Sequence, residues 1–441
     1  MTPMRPLALL AACAALAACD LPTAPEASNP YDPAFGGPRT ATAPTGLRVA
    51  ASSLGEITLA WADNSSFESG VRVERAAVYD DGRLSDFATV AVLPPDATAY
   101  TDRDLDSDAP VAYRVAALVA DGRDSLPSDT LALRYQADRV PVDPLAYAYG
   151  EAELSPDGAT LYTRSYQSVD AVDAATGAFL GRFPDTRQTA GFLADGRAAL
   201  VRDASGAVLL DLVRRATREA TVVLPVPASC STARRLVVSA DGTRAAASCS
   251  SRQLVVWRLA APNAPTVIPL GPGSASFNQD IAGLSPDGRT VVGGTDLETA
   301  AFDTDTRAAR WRVPVDANGA QLSPDGRHLV LTGGVERIAV RDAATGAVLA
   351  GAAGSFFGAR FSADGSAVAY SAPDSNGYGS LVQVARTADL APVARLSQAD
   401  LFATTLTPGG AVAVVTSQEP PAIVRWDFSR GWEAFTLAPP S

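Results

Sequence analysis

The residues that could carry acid–base or nucleophilic chemistry are few and scattered. His328 is the only histidine in the chain, and it follows a turn glycine by two residues at the start of an apolar run. A Ser–His–Asp triad would have to use this imidazole as its general base, and that position orients a base poorly. Acidic pairs such as Asp303 and Asp305 lie in a predicted turn, where solvated carboxylates are expected. We therefore predict no catalytic residues and no enzymatic activity.

The densest acidic stretch, Asp102 to Asp108, alternates aspartates as the start of a calcium loop does. A complete calcium loop needs a glycine at its sixth position and a glutamate at its twelfth, where Tyr113 stands. A zinc site would need histidines or paired cysteines that this sequence lacks. We therefore predict a solvated loop between strands, no metal ion and no cofactor.

The four cysteines fall into two groups by position. Cys13 lies within an apolar run, Leu7–Ala18, and Cys19 follows that run directly. Cys230 and Cys249 flank a predicted hairpin, so in an oxidising compartment a disulfide is predicted across its open end. The bond would close a loop of about 20 residues and stabilise the fold by about 3 kcal/mol.

Residues 1–18 have the pattern of a signal peptide, since one positive charge precedes an apolar run too short to span a bilayer. The sequence from Leu16 to Cys19, Leu-Ala-Ala-Cys, resembles the lipobox of bacterial lipoproteins. That resemblance implies cleavage before Cys19 and lipidation of its sulfur, which gives a stable membrane anchor. The alternative is an ordinary secretory signal with a chance cysteine. Residues 19–43, rich in Pro, Ala and Thr, are predicted to form a tether.

These features predict a lipid-anchored, extracytoplasmic protein of the cell envelope, at the inner or outer membrane, in the periplasm or on the cell surface.

The composition excludes one class of partner. The formal net charge is −12, and all 36 basic residues are arginines. Because nucleic-acid binding needs a basic patch that neutralises phosphates, we predict no nucleic-acid partner.

Strand-like runs separated by Gly, Pro, Asp and Ser fill most of the chain, which predicts an all-β fold. The pentapeptide Leu-Ser-Pro-Asp-Gly occurs at Leu154–Gly158, Leu284–Gly288 and Leu322–Gly326. Proline presets its backbone angle, aspartate accepts a local hydrogen bond and glycine adopts positive φ, so the motif predicts a hairpin turn.

Related turns repeat this motif along the carboxy-terminal two thirds of the chain. The turn aspartate is Asp157, Asp195, Asp241, Asp287, Asp325 and Asp364, and Gly409 replaces it in a seventh copy. A period of about 42 residues made of strands indicates a β-propeller. An apolar strand ending in aspartate follows most turns, at Asp173, Asp211, Asp303, Asp342 and Asp427.

This pattern resembles WD-repeat-like propellers, in particular the bacterial TolB-like and YVTN-type repeats. The resemblance implies a seven-bladed β-propeller over residues 146–441, after a linker at 135–145. It lacks the Gly-His pair of true WD repeats. Two segments could close the ring: Trp432–Leu437, as the last strand of the seventh blade, or the linker around Arg139–Val142.

Residues 44–134 contain several strands at the spacing of a β-sandwich. The segments "GEITLAWADNS", "GVRVERA" and "AYRVAALVADGRDSLPSD" resemble strands of a fibronectin type III domain. The resemblance implies that Trp61 lies in the core on the second strand. It also implies that Tyr113 lies on the sixth strand, beneath the loop that carries Leu105.

Ligand contacts are expected on the propeller face formed by the loops between blades and between the second and third strands of each blade. Arginine and aromatic residues anchor many interfaces. On that basis the candidate ligand-binding residues are Arg164, Tyr166, Arg252, Glu298, Arg337 and Tyr378. Ordinary loop residues are the alternative interpretation. We predict a non-catalytic scaffold that binds a protein partner, and the alternative is a protein that binds or processes an envelope polysaccharide.

Overall fold

The structure is a computed structural model. It describes residues 41–53, 55–79, 81–105, 109–120, 122–141, 152–164, 168–230, 233–249, 251–272, 283–315, 319–333, 337–352, 357–373, 380–396, 404–418 and 421–437. These residues form antiparallel sheets. Within these ranges, no helix has the length and the apolar character needed to cross a bilayer.

Two sheets make up the amino-terminal part. Its strands are β1 (Thr45–Ser53), β2 (Glu56–Ala62), β3 (Gly70–Ala77), β4 (Ala88–Leu93), β5 (Ala99–Asp102), β6 (Val111–Leu118) and β7 (Leu131–Tyr135). One sheet has the order β1-β2-β5, and the other contains β7-β6-β3-β4. On β2, burial alternates, and Ile57, Leu59 and Trp61 join side chains of β3, β6 and β7 in one apolar cluster. Alternation of this kind places one face of each sheet in a shared core.

All but one of the remaining strands form seven four-stranded sheets in the described ranges, numbered I to VII along the chain. Sheets I to III are β9 (Ala152–Leu154), β10 (Thr160–Arg164), β11 (Ser168–Asp173), β12 (Phe179–Pro184); β13 (Thr186–Phe192), β14 (Ala198–Ala204), β15 (Ala207–Arg214), β16 (Thr217–Pro225); and β17 (Ala233–Val238), β18 (Arg244–Cys249), β19 (Gln253–Arg258), β20 (Thr266–Pro269).

Sheets IV to VI are β21 (Gly283–Leu284), β22 (Thr290–Gly294), β23 (Thr299–Asp303), β24 (Ala309–Val313); β25 (Gly319–Leu322), β26 (His328–Gly333), β27 (Arg337–Asp342), β28 (Val348–Ala352); and β29 (Phe357–Phe361), β30 (Ala367–Pro373), β31 (Ser380–Arg386), β32 (Pro392–Leu396). Sheet VII is β33 (Thr404–Leu406), β34 (Val412–Gln418), β35 (Pro421–Asp427) and β8 (Ala137–Pro141). A short last strand is β36 (Trp432–Ala434).

The seven sheets form a ring. From sheet II to sheet VII, the first strand of each sheet contacts the first strand of the next, and β33 of sheet VII contacts β9 of sheet I. Sheet I meets sheet II through contacts of β10 and β11 with β13. The third strand β11 is almost wholly buried, whereas the fourth strand β12 is largely exposed. The first strands therefore line the centre and the fourth strands form the rim.

The repeated turn is held by its own side chains. In sheet I, the Gly158 N–H donates to the Ser155 carbonyl at 2.8 Å, and the Ser155 hydroxyl donates to Asp157 Oδ1 at 2.5 Å. The N–H groups of Ala159 and Thr160 donate to Asp157 Oδ1 and Ser155 Oγ, respectively. The same four bonds recur in the turns that begin at Ser239, Ser285, Ser323 and Ser362. The motif is therefore a structural device.

Neighbouring turns also bond to each other. The Asp241 N–H donates to the Pro286 carbonyl at 3.0 Å, which joins the turns of sheets III and IV. In sheet VII, where Gly409 replaces the aspartate, its N–H donates to Asp364 Oδ2 of the preceding turn at 2.7 Å. These contacts tie the turns together on one face of the ring.

The ring is closed by the segment between the two parts of the chain. Strand β8 pairs with β35, with Val140 opposite Ile423, and becomes the fourth strand of sheet VII. The linker expected at residues 135–145 thus contains the closing strand. The other candidate, which began at Trp432, does not close the ring. Instead β36 pairs with β7 and extends the larger amino-terminal sheet.

The aspartate predicted at the end of a strand is found there in sheets I, IV, V and VII but not in sheet II. Asp173, at the end of β11, accepts hydrogen bonds from the N–H groups of Ala175 and Thr176, so it shapes the turn to the fourth strand. Asp211 was expected to end its strand in the same way, but this is wrong. It lies in the interior of β15, fully buried, because this strand continues to Arg214.

Candidate functional site

The antiparallel order gives the ring two unlike faces. Turns from first to second strands and from third to fourth strands emerge on one face, which carries the Ser–Asp hydrogen bonds. Loops from second to third strands emerge on the other, together with the connections between sheets. We call this second face the loop face. All six candidate ligand-binding residues belong to its second-to-third connections.

Three of the six candidates are described with their side chains. Arg164 ends β10 and is half-buried. Arg252 lies between β18 and β19, is exposed, and adopts a left-handed backbone with φ of 58°. Glu298 precedes β23. Arg337 begins β27, but its side chain lies outside the described part, as do Tyr166 and Tyr378.

The loop with Arg252 is fastened at several points. A disulfide joins Cys249, the last residue of β18, to Cys230, with the Cα atoms 5.4 Å apart. The Arg252 N–H donates to the Cys249 carbonyl at 3.1 Å, and the Arg252 carbonyl accepts from the Leu270 N–H at 3.0 Å. The Ser251 hydroxyl donates to the Ser229 carbonyl at 2.8 Å. The guanidinium of Arg252 is therefore carried by a backbone with little freedom to move.

Glu298 has a partner inside the protein. Its carboxylate accepts a hydrogen bond from Arg312 on β24, and the Arg312 guanidinium lies over the Phe302 ring, 5.3 Å from its centre. The same carboxylate packs against Gly271, where any Cβ atom would collide with Oε1. Glu298 thus links the loop face of sheet IV to the connection that leaves sheet III.

Two buried ion pairs were not predicted from the sequence. Asp170 on β11 is fully buried and receives two hydrogen bonds of 2.7 Å from Arg182 on the neighbouring strand. Asp211 is held in the same way by Arg202 at 2.6 Å and Arg218 at 3.2 Å. The only sequence signal is an acid at an inward position of an apolar strand. These bidentate pairs join strands within sheets I and II.

The acidic positions expected to be solvated have partners instead. Asp102 is fully buried, accepts the Tyr113 hydroxyl at 2.8 Å and pairs with Arg75 at 2.8 Å. Burial, followed by the charge of Asp102, raises the pKa of Tyr113. Leu105 packs against the same core, and residues 106–108 lie outside the described residues. The expectation of a solvated loop is therefore wrong for Asp102.

The turn acids of sheet IV are also bonded. A hydrogen bond from the Thr306 N–H, together with Arg310, lowers the pKa of Asp303 to about 2. Asp305 pairs with Arg258 at 2.5 Å and with Arg244 of sheet III at 2.9 Å. Hydrogen bonds from Arg244, and then from Arg258, lower the Asp305 pKa. These acids hold turns and neighbouring sheets together. The only histidine, His328, begins β26, and its Nδ1 atom is buried.

Among the described residues, one group of three carboxylates has the spacing of a metal site: Asp63, Glu68 and Asp96. These residues come from two separate connections of the amino-terminal sandwich. The sequence does not reveal this group, because no acidic pattern links the three residues along the chain.

No protein-family model matches this chain, and no curated protein matches it. Among solved structures, the chain is similar to the β-propeller domain of Myceliophteria thermophila Cps50 (Swd1), with 13% identity and a TM-score of 0.50. The match covers 66% of this chain and 99% of that one. A second similar structure, U3-55K, has 12% identity and a TM-score of 0.48, over 66% of this chain and 98% of that one. The first likeness agrees with the ring of sheets: the chain contains a β-propeller.

Proposed function

We propose that this protein is a membrane-anchored, extracytoplasmic lipoprotein whose propeller binds a protein partner without catalysis. In this proposal the loop face of the ring is the binding face. Cys19 carries the lipid, and the amino-terminal sandwich is a fibronectin type III domain that spaces the ring from the membrane.

The observation that carries the proposal is the unequal use of the two faces. On one face, the side chains of the repeated turns bond to their own turns and to neighbouring turns. On the loop face, the exposed Arg252 lies on a connection held by a disulfide and three hydrogen bonds. A loop whose backbone is already fixed loses little conformational freedom on binding, which favours its exposed arginine as an interface anchor.

The strand order supports the assignment of the sandwich. When β36 is set aside, the orders β1-β2-β5 and β7-β6-β3-β4 give the three-plus-four arrangement of an immunoglobulin-like sandwich. Trp61 on the second strand and Tyr113 on the sixth are both buried in its core.

The test of the binding face is capture from an envelope extract on the immobilised full chain, with retained material identified by mass spectrometry and glycan analysis. Arg252→Ala should release the retained protein. The matched control is Arg327→Ala, because Arg327 is 82% exposed and lies on the opposite face. Equal retention by both variants would exclude Arg252 from the interface. Shortening of a glycan during incubation would overturn the non-catalytic assignment.

The anchor has its own test. Mass spectrometry of the mature amino terminus should find Cys19 with a diacylglycerol group, and Cys19→Ala should release the protein from the membrane fraction. An unmodified Cys19 in a membrane-free protein would refute the lipoprotein assignment and leave the binding face untouched.

A further inference from the structure

Three carboxylates meet at one end of the amino-terminal sandwich. Asp63 and Glu68 lie in the connection from β2 to β3, and Asp96 lies in the turn from β4 to β5. One carboxylate oxygen from each residue lies within 4.8 Å of the other two. Like charges at this separation repel one another, so the arrangement needs a compensating positive charge or a proton.

Glu68 is the critical member because it is buried, with 6% of its surface exposed. Its Oε1 atom accepts the Asp96 N–H at 2.9 Å. Its Oε2 atom is also buried and has no hydrogen-bond partner. A buried carboxylate oxygen without a partner is costly, which points to a ligand at this position.

The other buried acids of the sandwich have arginine partners. Glu74 pairs with Arg114 at 2.6 Å and with Arg72 at 3.2 Å. Asp102 pairs with Arg75. Among the described residues, no arginine forms an ion pair with Asp63, Glu68 or Asp96; Glu68 faces two further acids instead.

We propose that Asp63, Glu68 and Asp96 bind a divalent cation of the calcium type. The donors are all carboxylate oxygens, which suit a hard cation. Calcium–oxygen distances are about 2.4 Å, so oxygens on opposite sides of the ion stand about 4.8 Å apart. The three oxygens, mutually within 4.8 Å, are close enough to approach one ion. Calcium tolerates irregular oxygen geometry, whereas magnesium demands a near-ideal octahedron, so three carboxylates from two separate connections favour calcium.

The site has a structural consequence for the segment that leads into β1. Asn64, next to Asp63, donates its amide to the Ala43 carbonyl at 2.8 Å and to Thr45 Oγ1 at 3.0 Å. A cation that fixes the β2–β3 connection thereby also fixes the segment that leads into β1. The proposal does not depend on the partner-binding function of the propeller.

A shared proton is the competing explanation. Burial raises the pKa of Asp63, and the negative charges of Glu68 and Asp96 raise it further. Burial is the largest single influence on the pKa of Glu68 and acts to raise it, but several hydrogen bonds, the strongest from the Asp96 N–H, together outweigh burial and the net shift is downward. A proton held by Asp63 would stabilise the fold at low pH, and this contribution would disappear as the pH rises through the raised pKa.

The experiment is calorimetric titration of the full, EDTA-treated chain with CaCl₂ and with MgCl₂ at neutral pH, together with thermal unfolding. We expect one calcium site with a Kd on the order of 10⁻⁴ M, weaker binding of magnesium, and a higher melting temperature with calcium. Glu68→Gln and Asp96→Asn should each weaken calcium binding about tenfold or more. Asparagine tolerates the left-handed backbone of Asp96, where φ is 61°, so that variant should fold.

The matched control is Asp129→Asn, because Asp129 is an exposed acid elsewhere in the sandwich and its loss should leave calcium binding unchanged. The proposal is overturned if the wild-type chain takes up no calcium. It is equally overturned if Glu68→Gln and Asp96→Asn bind calcium as tightly as the control. If stability instead falls as the pH rises and calcium has no effect, the three acids share a proton.

Discussion

Replacing Trp432 by alanine should separate the sandwich from the ring. Trp432 is buried; its N–H donates to Ser52 Oγ at 3.0 Å and its indole Nε1–H donates to the Ser53 carbonyl at 2.9 Å. Its ring meets the edge of Tyr135, with centres 5.8 Å apart. The residue thus joins the last strand of the chain to both sheets of the sandwich. Removal of a buried tryptophan costs about 3–5 kcal/mol.

The pairing of β8 and β36 determines which part of the protein loses stability in Trp432→Ala. The segment that follows the sandwich supplies β8 to sheet VII of the ring, and the carboxy-terminal segment supplies β36 to the sandwich. The wild-type chain should therefore unfold in one calorimetric transition. In Trp432→Ala, β36 is weakened while β8 stays paired, so the sandwich should melt first. For a domain of this size, about 4–8 °C is lost per kcal/mol, so its transition should fall by at least about 12 °C.

The assay is differential scanning calorimetry, with near-ultraviolet circular dichroism to follow the aromatic core. Glu433→Gln is the matched control on the same strand, because Glu433 makes only surface contacts: a hydrogen bond from Gln136 and an ion pair with Arg134, the latter worth about 1 kcal/mol or less. The reasoning is refuted if Trp432→Ala shifts the sandwich transition by no more than the control. It is also refuted if sandwich and ring are lowered equally.

Three further predictions concern the ring. The double variant Cys230→Ser and Cys249→Ser should lose about 3 kcal/mol of unfolding free energy in urea, because the bond joins positions 19 residues apart. Hydrogen exchange in the Arg252 loop should also become faster. Unchanged exchange would show that the loop is rigid without the bond. Gly326→Ala should destabilise the fold by about 1–3 kcal/mol more than Gly158→Ala. Both glycines have φ of 71°, but only at Gly326 would the new Cβ lie 2.5 Å from a proline of the adjacent turn. Equal losses of stability would mean that turns of neighbouring sheets do not pack against each other. The pKa of Asp303 is lowered to about 2, so its stabilisation is complete above its ordinary pKa of 3.8 and is lost as the pH falls through about 2. Urea titrations at about pH 5 and pH 2 should therefore find a smaller acid loss in Asp303→Asn than in the wild type, and an equal loss would contradict the assignment.

Much of the ring could be predicted from local chemistry. A proline or alanine, an aspartate and a glycine within five residues set the turn, because each acts on backbone no more than a few positions away. The turn aspartates therefore correctly predicted where the sheets lie along the chain. The one misplaced mark, Asp211, lies in a strand whose length is set by pairing with β14 and β16, which a local pattern does not contain.

The loop face could be predicted only as a position in each sheet. The sequence placed Arg252 and Glu298 in second-to-third connections, and the structure agrees. It did not predict that Glu298 is held by Arg312, since those residues meet only when β23 and β24 pair. Whether a polar side chain is bound internally depends on neighbours distant in sequence.

The sequence by itself determined the all-β repeat, the positions of the turns and the two cysteines that flank a hairpin. Only the tertiary structure decided that β8 closes the ring, that β36 completes the sandwich and that Asp63, Glu68 and Asp96 converge. The physical reason is that a strand edge presents the same N–H and C=O groups to any partner. The path of the whole chain selects which edge is filled, and the same path brings separate loops together at the end of a sandwich.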